Sequence, residues 1–129
     1  MTLDSSALIA ILFGEPGYLD LVDRVLKSDV VRIGTPTLTE AAIVLTARRR
    51  GRSGGELAML LEELDVTVVP FTVAHHEVAS RAYERYGRGR HKANLNFGDC
   101  LSYAVASLAG DSLLFVGDDF RRTDIEAAG

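Results

Sequence analysis

Short apolar segments alternate along this chain with longer amphipathic ones, and that rhythm constrains the fold more than any other feature. Residues 30–33, 66–69 and 113–116 are brief runs dominated by Val, Ile and Leu. They are too short for helices and read as buried strands. A still shorter apolar opening ends on Asp4. Between these runs the spacing predicts helices over 7–13, over 18–27 with Leu19, Val22 and Leu26 on one stripe, and over 53–64. Thr35-Pro36 opens another, since Pro suits a first helical turn, and it runs through Ala41, Val44 and Leu45 to an arginine cluster. Residues 73–86 carry a stripe of Ala74, Val78, Ala82 and Tyr86, and a further helix starts at Asp99. A turn at Asp119-Phe120 and a last strand near Asp124-Ile125 complete the pattern. Strands alternating with helices make an α/β domain whose mainly parallel sheet is covered on both faces. Ligands of such sheets gather beyond the carboxyl ends of the strands.

With 129 residues, and neither repeats nor a linker, residues 1–129 read as one domain. No apolar run approaches membrane-spanning length, and no basic segment leads into an apolar one at the start, so a cytoplasmic location is expected. The single cysteine, Cys100, is placed among Leu and Ala as a small buried hydrophobe rather than a nucleophile. His75, His76 and His91 fit no metal motif or hydrolase triad.

The net charge of −4 argues against generic coating of nucleic acid, but the charge is uneven. Nine of the 14 basic residues fall within 48–52 and 81–92. The second stretch, RAYERYGRGRHK, interleaves arginine with Tyr83 and Tyr86. Each could be a solvated helix end or a local phosphate-contacting surface.

Four acids stand at element boundaries: Asp4 after the first strand, Glu40 in the opening turns of the Thr35-Pro36 helix, Asp99, and Asp118-Asp119 after residues 113–116. Each has an ordinary structural role to hand. Asp4 and Asp99 can cap helices, Thr37-Leu38-Thr39-Glu40 spells a capping box, and Asp118-Asp119 can form a turn. Their conjunction points elsewhere. Carboxylates focused on one sheet edge repel by roughly 4 kcal/mol per close pair at moderate dielectric. A bound cation or raised pKa values would relieve that repulsion. All-oxygen ligands suit Mg²⁺ or Mn²⁺, which can activate water and polarise a phosphoryl oxygen, making a phosphodiester the natural substrate.

Taken in order, LDSSALIAIL, TPTLTEAAIVL, NFGDCLSYAVA and LLFVGDDF resemble the four acidic motifs of PIN-domain ribonucleases. GRGRH, NFGDC and the TDI of residues 123–125 resemble more narrowly the VapC-type toxins of bacterial toxin–antitoxin pairs. The resemblance spans essentially the whole chain. It implies a three-layer α/β/α sandwich and a Mg²⁺-dependent endoribonuclease. Asp4 and Asp99 would hold the metal and Glu40 would complete the acidic pocket. Ser6 would position a water or act as a further cap. In the fourth motif Phe115 and Gly117 stand where the family more often has Thr and an acid. That leaves Asp118 and Asp119, of which Asp119 is preferred for its Asp-Phe pair. Arg85, Arg88, Arg90 and Lys92 would meet the RNA backbone. A VapB-type antitoxin, a homodimer and a larger toxin–antitoxin assembly are implied as partners.

Other readings fit less well. A receiver-like signalling domain needs paired acids after the first strand and a late Lys, but Ser5-Ser6 follow Asp4 and residues 113–122 contain no Lys. A haloacid-dehalogenase-like phosphatase would want Asp where Ser6 stands. A PIN-like module without catalysis is opposed by the intact Asp4, Glu40 and Asp99. Which RNA is cut lies in loop shape and exposed single strands, which motifs do not encode.

Overall fold

The computed structural model describes residues 1–50 and 55–128. Four parallel strands form one sheet: β1 (Thr2–Leu3), β2 (Val31–Gly34), β3 (Val66–Val69) and β4 (Leu113–Leu114), in the order β3-β2-β1-β4. Six helices connect or flank them: α1 (Ser5–Leu12), α2 (Tyr18–Lys27), α3 (Thr35–Arg48), α4 (Glu56–Glu63), α5 (Val73–Tyr86) and α6 (Phe97–Ala109). A 3₁₀ turn spans Asp119–Arg122. Among the described residues no helix is long and apolar enough to cross a membrane.

Alternation along the strands sends neighbouring side chains into two different cores. Leu3, Val31, Ile33 and Leu114 join Leu8, Ile11, Val25 and Ala41 from α1, α2 and α3. Leu113 joins Ala79, Ala82, Tyr86, Tyr103 and Ala104 from α5 and α6, with Phe120 of the 3₁₀ turn. The sheet is therefore covered on both faces, as expected. One contact sets the spacing of the α6 layer: a Cβ on Gly34 would meet Val105 Cγ2 at 2.7 Å, so only glycine lets β2 lie this close to α6.

Several local expectations shift. On α2 the buried residue is Val25, while Leu19 and Leu26 are 67% and 64% exposed, so the packing stripe lies about a residue from the expected one. On α5 the buried line is His75, Ala79, Ala82 and Tyr86, leaving Ala74 outside it. The expected start of the 53–64 helix lies partly outside the described residues, and α4 ends at Glu63. The fourth strand stops at Leu114 because the Val116 N–H donates to Ser6 Oγ at 3.0 Å instead of to a strand. The last bridge falls at Ala127, opposite Leu113, rather than at Asp124-Ile125. There the Asp124 N–H goes to Tyr86 Oη and so is not free for a ladder, while its carboxylate accepts from Tyr103 Oη.

Candidate active site

Asp4 leaves β1 at the carboxyl edge of the sheet and caps α1, accepting from the Ser6 N–H at 3.1 Å and from Ser6 Oγ at 2.6 Å, both on Oδ2. Its other oxygen, Oδ1, accepts from Ser102 Oγ of α6 at 2.6 Å. A nearly buried carboxylate is thus held at both oxygens by neutral donors. Ser6 serves two elements at once: its proton goes to Asp4, and its oxygen accepts the Val116 N–H beyond β4.

Asp99 does not cap α6 by itself. Asn96 is the N-cap, and the two residues exchange bonds: Asp99 N–H to Asn96 Oδ1 at 2.9 Å, and Asn96 N–H to Asp99 Oδ2 at 3.0 Å. That is a capping box with the acid in its third helical position. The box expected at Thr37 to Glu40 does not form. Gly34 is the N-cap of α3, and both residues lie inside the helix. Thr37 is buried against Ser102, 3.3 Å between hydroxyls. Glu40 is thereby free to project outward. Its carboxylate lies against the first turn of α6, where a Cβ on Gly98 would stand 3.1 Å from both of its oxygens. Unsatisfied N–H groups make that turn a favourable place for negative charge.

The electrostatics join these acids. Burial pushes the Asp99 carboxyl up to about 6, against the lowering effect of the Asn96 hydrogen bond, and the charges of Asp4, Asp119 and Glu40 add to the rise. Asp119 therefore shares the field of the other three. Asp118 instead faces Arg121 at 3.1 Å on the surface. Among the described residues, no three His, Cys, Asp or Glu side chains already stand as a metal cage. Beside them Cys100 is buried, and burial, then the Asp99 charge, push its thiol up to about 11, so it is an inert part of the core.

The basic residues divide. Arg88, Arg90 and Lys92 are exposed on the loop that runs from α5 into the start of α6. Arg122 beside Asp119 fastens that loop by donating to the Lys92 carbonyl at 3.1 Å. Arg85 is exposed as well but already has partners: it lies over the Tyr86 ring and 3.6 Å from the Asp124 carboxylate. Of the 48–52 cluster, the described Arg48 and Arg49 are not brought to the acids. Arg48 and Arg49 lie 4.5 and 4.9 Å from the ring centre of Phe13, where α1 and α3 both end. Fourteen residues of α3 put that end roughly 20 Å from the helix start. Arg52 lies outside the described residues.

Asn96 and Ser102 escaped the sequence reading, and Thr37 entered it only as a helix cap. Asn96 had a signal, being three residues before Asp99. Ser102 had almost none, because its partner Asp4 is 98 residues away.

Comparison with known proteins identifies the family. The PIN domain family matches residues 1–126. A ribonuclease VapC of Mycolicibacterium smegmatis is 43% identical over 128 residues, covering 98% of each chain. Ribonuclease VapC36 of Mycobacterium tuberculosis is 42% identical over 130 residues, covering 100% of this chain and 94% of that one. The crystal structure of VapC20 from the same species, described as a sarcin–ricin loop cleaving toxin, superposes with a TM-score of 0.74 at 22% identity, covering 96% and 95% of the two chains. By sequence and by fold, the chain belongs to the PIN-domain family, on its VapC branch.

Proposed function

We propose that this protein is a Mg²⁺-dependent endoribonuclease toxin, with Mn²⁺ as a competent substitute, held in check by a VapB-type antitoxin. The carrying observation is Asp99, buried within the fields of Asp4, Asp119 and Glu40, whose own partner is a backbone N–H rather than a cation. The donor set fits a hard cation. It is all oxygen, and two carboxylates with several waters are a common way for a protein to hold Mg²⁺. Asp4 and Asp99 would be those two, with Glu40 and Asp119 completing the acidic rim directly or through water. When bound, such an ion supplies Lewis acidity toward a phosphoryl oxygen and a more acidic water. Ser6 has already given its proton to Asp4, so toward a water it can act only as an acceptor. Arg88, Arg90 and Lys92 would receive phosphates flanking the cut, with Arg85 contributing less because Asp124 already pairs with it.

The partner readings have support of the same kind. Leu19, Leu26 and Met59 are exposed apolar side chains on α2 and α4, suited to an antitoxin segment whose basic residues would reach the acidic rim. Ile43, Val73 and Phe97 are 63%, 74% and 78% exposed. Ile43 and Phe97 line a groove of about 630 Å³ with Val44, Phe71, Leu101 and, at its acidic end, Glu40, which a second copy would cover in a homodimer. A larger assembly would follow from both contacts together.

The decisive assay is cleavage of cellular RNA by purified protein with Mg²⁺, with Mn²⁺ and with chelator, mapped by sequencing new 5′ ends. Discrete internal cuts that vanish with chelator are expected. Cuts that persist under chelation would reject the metal-dependent reading.

A further inference from the structure

Beneath the acids runs a line of buried hydroxyls that the chemistry above does not use. Ser102 is 1% exposed and Thr37 2%. Ser102 Oγ lies 2.6 Å from Asp4 Oδ1 and 3.3 Å from Thr37 Oγ1. A carboxylate oxygen can only accept, so the single Ser102 proton goes to Asp4 and Thr37 must donate to Ser102. The line is directional, Thr37 to Ser102 to Asp4, and each bond polarises the next.

Its placement is as telling as its chemistry. Ser102 follows Asp99 by three residues on α6, and Thr37 precedes Glu40 by three on α3. Each hydroxyl therefore lies about one helical turn from an acid. The line joins the three elements that carry Asp4, Glu40 and Asp99. Apolar side chains could fill the same space without any desolvation cost, whereas buried hydroxyls must be bonded to be tolerated. On Asp4 the effect is specific: Ser6 fixes Oδ2, and without Ser102 the carboxylate could turn about its Cβ–Cγ bond.

We infer that Ser102, itself held by Thr37, is a positioning residue that fixes the Asp4 carboxylate against α6 and so sets the affinity of the acidic pocket for a divalent cation. The inference rests on the metal-dependent reading above. Partners of this kind, behind a ligand, typically change metal affinity 10–100-fold.

The test titrates Mn²⁺ into wild type, Ser102→Ala, Thr37→Val and Ser102→Thr. Free Mn²⁺ is read by its electron paramagnetic resonance signal, and the melting temperature is followed alongside. Ser102→Ala should raise the half-saturating Mn²⁺ concentration about 10-fold or more. Its metal-free melting temperature should fall by only a few degrees, the cost of an Asp4 oxygen left without its buried donor, and RNA cleavage should recover at high Mn²⁺. Thr37→Val, which keeps the shape and loses only the distal hydroxyl, should raise it a few-fold. Ser102→Thr should stay close to wild type. Wild-type affinity in Ser102→Ala overturns the inference alone. A wild-type protein that takes up no Mn²⁺ overturns the metal reading and this inference with it. If Ser102→Ala does not fold, unchanged binding by Thr37→Val overturns the directional line.

Discussion

The two edges of the sheet each hold an aspartate, buried at one and half-buried at the other, and the fold treats them in opposite ways. At the amino edge, burial pushes the Asp111 carboxyl up. That is outweighed by hydrogen bonds from Arg32 and Thr2 and by the charge of the Met1 ammonium, so the group sits below its ordinary range. Arg32 lies at 2.7 Å, Thr2 Oγ1 at 2.9 Å and the ammonium at 3.4 Å. At the carboxyl edge Asp99 is pushed up to about 6, first by burial and then by three other acids. The first edge balances its charge internally, as a structural site does. The second leaves charge over, and leftover negative charge in a half-closed site is a demand for something from outside.

The sharpest way to break the contrast is to neutralise one aspartate at each edge. Asp99→Asn should lower RNA cleavage at least ~100-fold in a folded protein, since it removes charge from the site where transition-state charge must be managed. Asp111→Ala should cost about 1–2 kcal/mol of stability, an ion-pair loss tempered by partial exposure, and leave cleavage within about twofold. Equal losses of cleavage from both would erase the distinction.

Cation binding should follow the same division. Mg²⁺ at about 100 times its dissociation constant should stabilise wild type by about 2.7 kcal/mol in a thermal melt. The Asp111→Ala protein should gain as much, and the Asp99→Asn protein much less. A gain that survives Asp99→Asn would move the cation elsewhere.

The effect of pH should have opposite signs at the two edges. Folded Asp99 keeps its proton up to about pH 6, whereas the unfolded chain releases it near 3.8, so its contribution to stability falls as pH rises through that window. Allowing for solvent screening, the loss is about 1–2 kcal/mol, and Asp99→Asn should abolish it. For Asp111 the stabilising contribution is present above 3.8 and disappears as pH falls through its lower folded value. Denaturant titrations of the two variants across pH 3 to 8 separate these slopes.

The smallest expected effect concerns the basic loop. Arg88→Ala or Arg90→Ala should reduce the log–log salt slope of RNA binding by about one each. The bond cut should not change, because phosphate contacts position without specifying. A shifted cleavage site would mean that the loop reads bases.

What the sequence disclosed depended on how local each decision was. Thr35-Pro36 opened α3 where expected, and 73–86 formed α5 to the residue, because turn chemistry and periodicity act within a few residues. The alternation that fixed the parallel sheet was equally local. Boundaries moved where a distant side chain claimed a backbone group, as Ser6 did with Val116. The acids drew notice because they stand near strand ends and in the opening turns of helices. Ser102 could not, since a serine within an alanine-rich helix gains its meaning only from β1 packed beneath it. Arg85 looked like its neighbours in RAYERYGRGRHK until Asp124 arrived from the far end of the chain.

The strand order has a consequence in time. β1, the first element made, lies inside the sheet, and one of its two neighbours is β4, with Thr2 opposite Leu113. Asp4 likewise waits for Ser102 and for the Val116 N–H that steadies Ser6. Contacts across such separations form late, because loop closure must be met before they give anything back. The pocket therefore cannot close around Asp4 until Ser102 and Val116 have joined it. On the ribonuclease reading proposed above, cleavage would wait on contacts made between residues about a hundred positions apart.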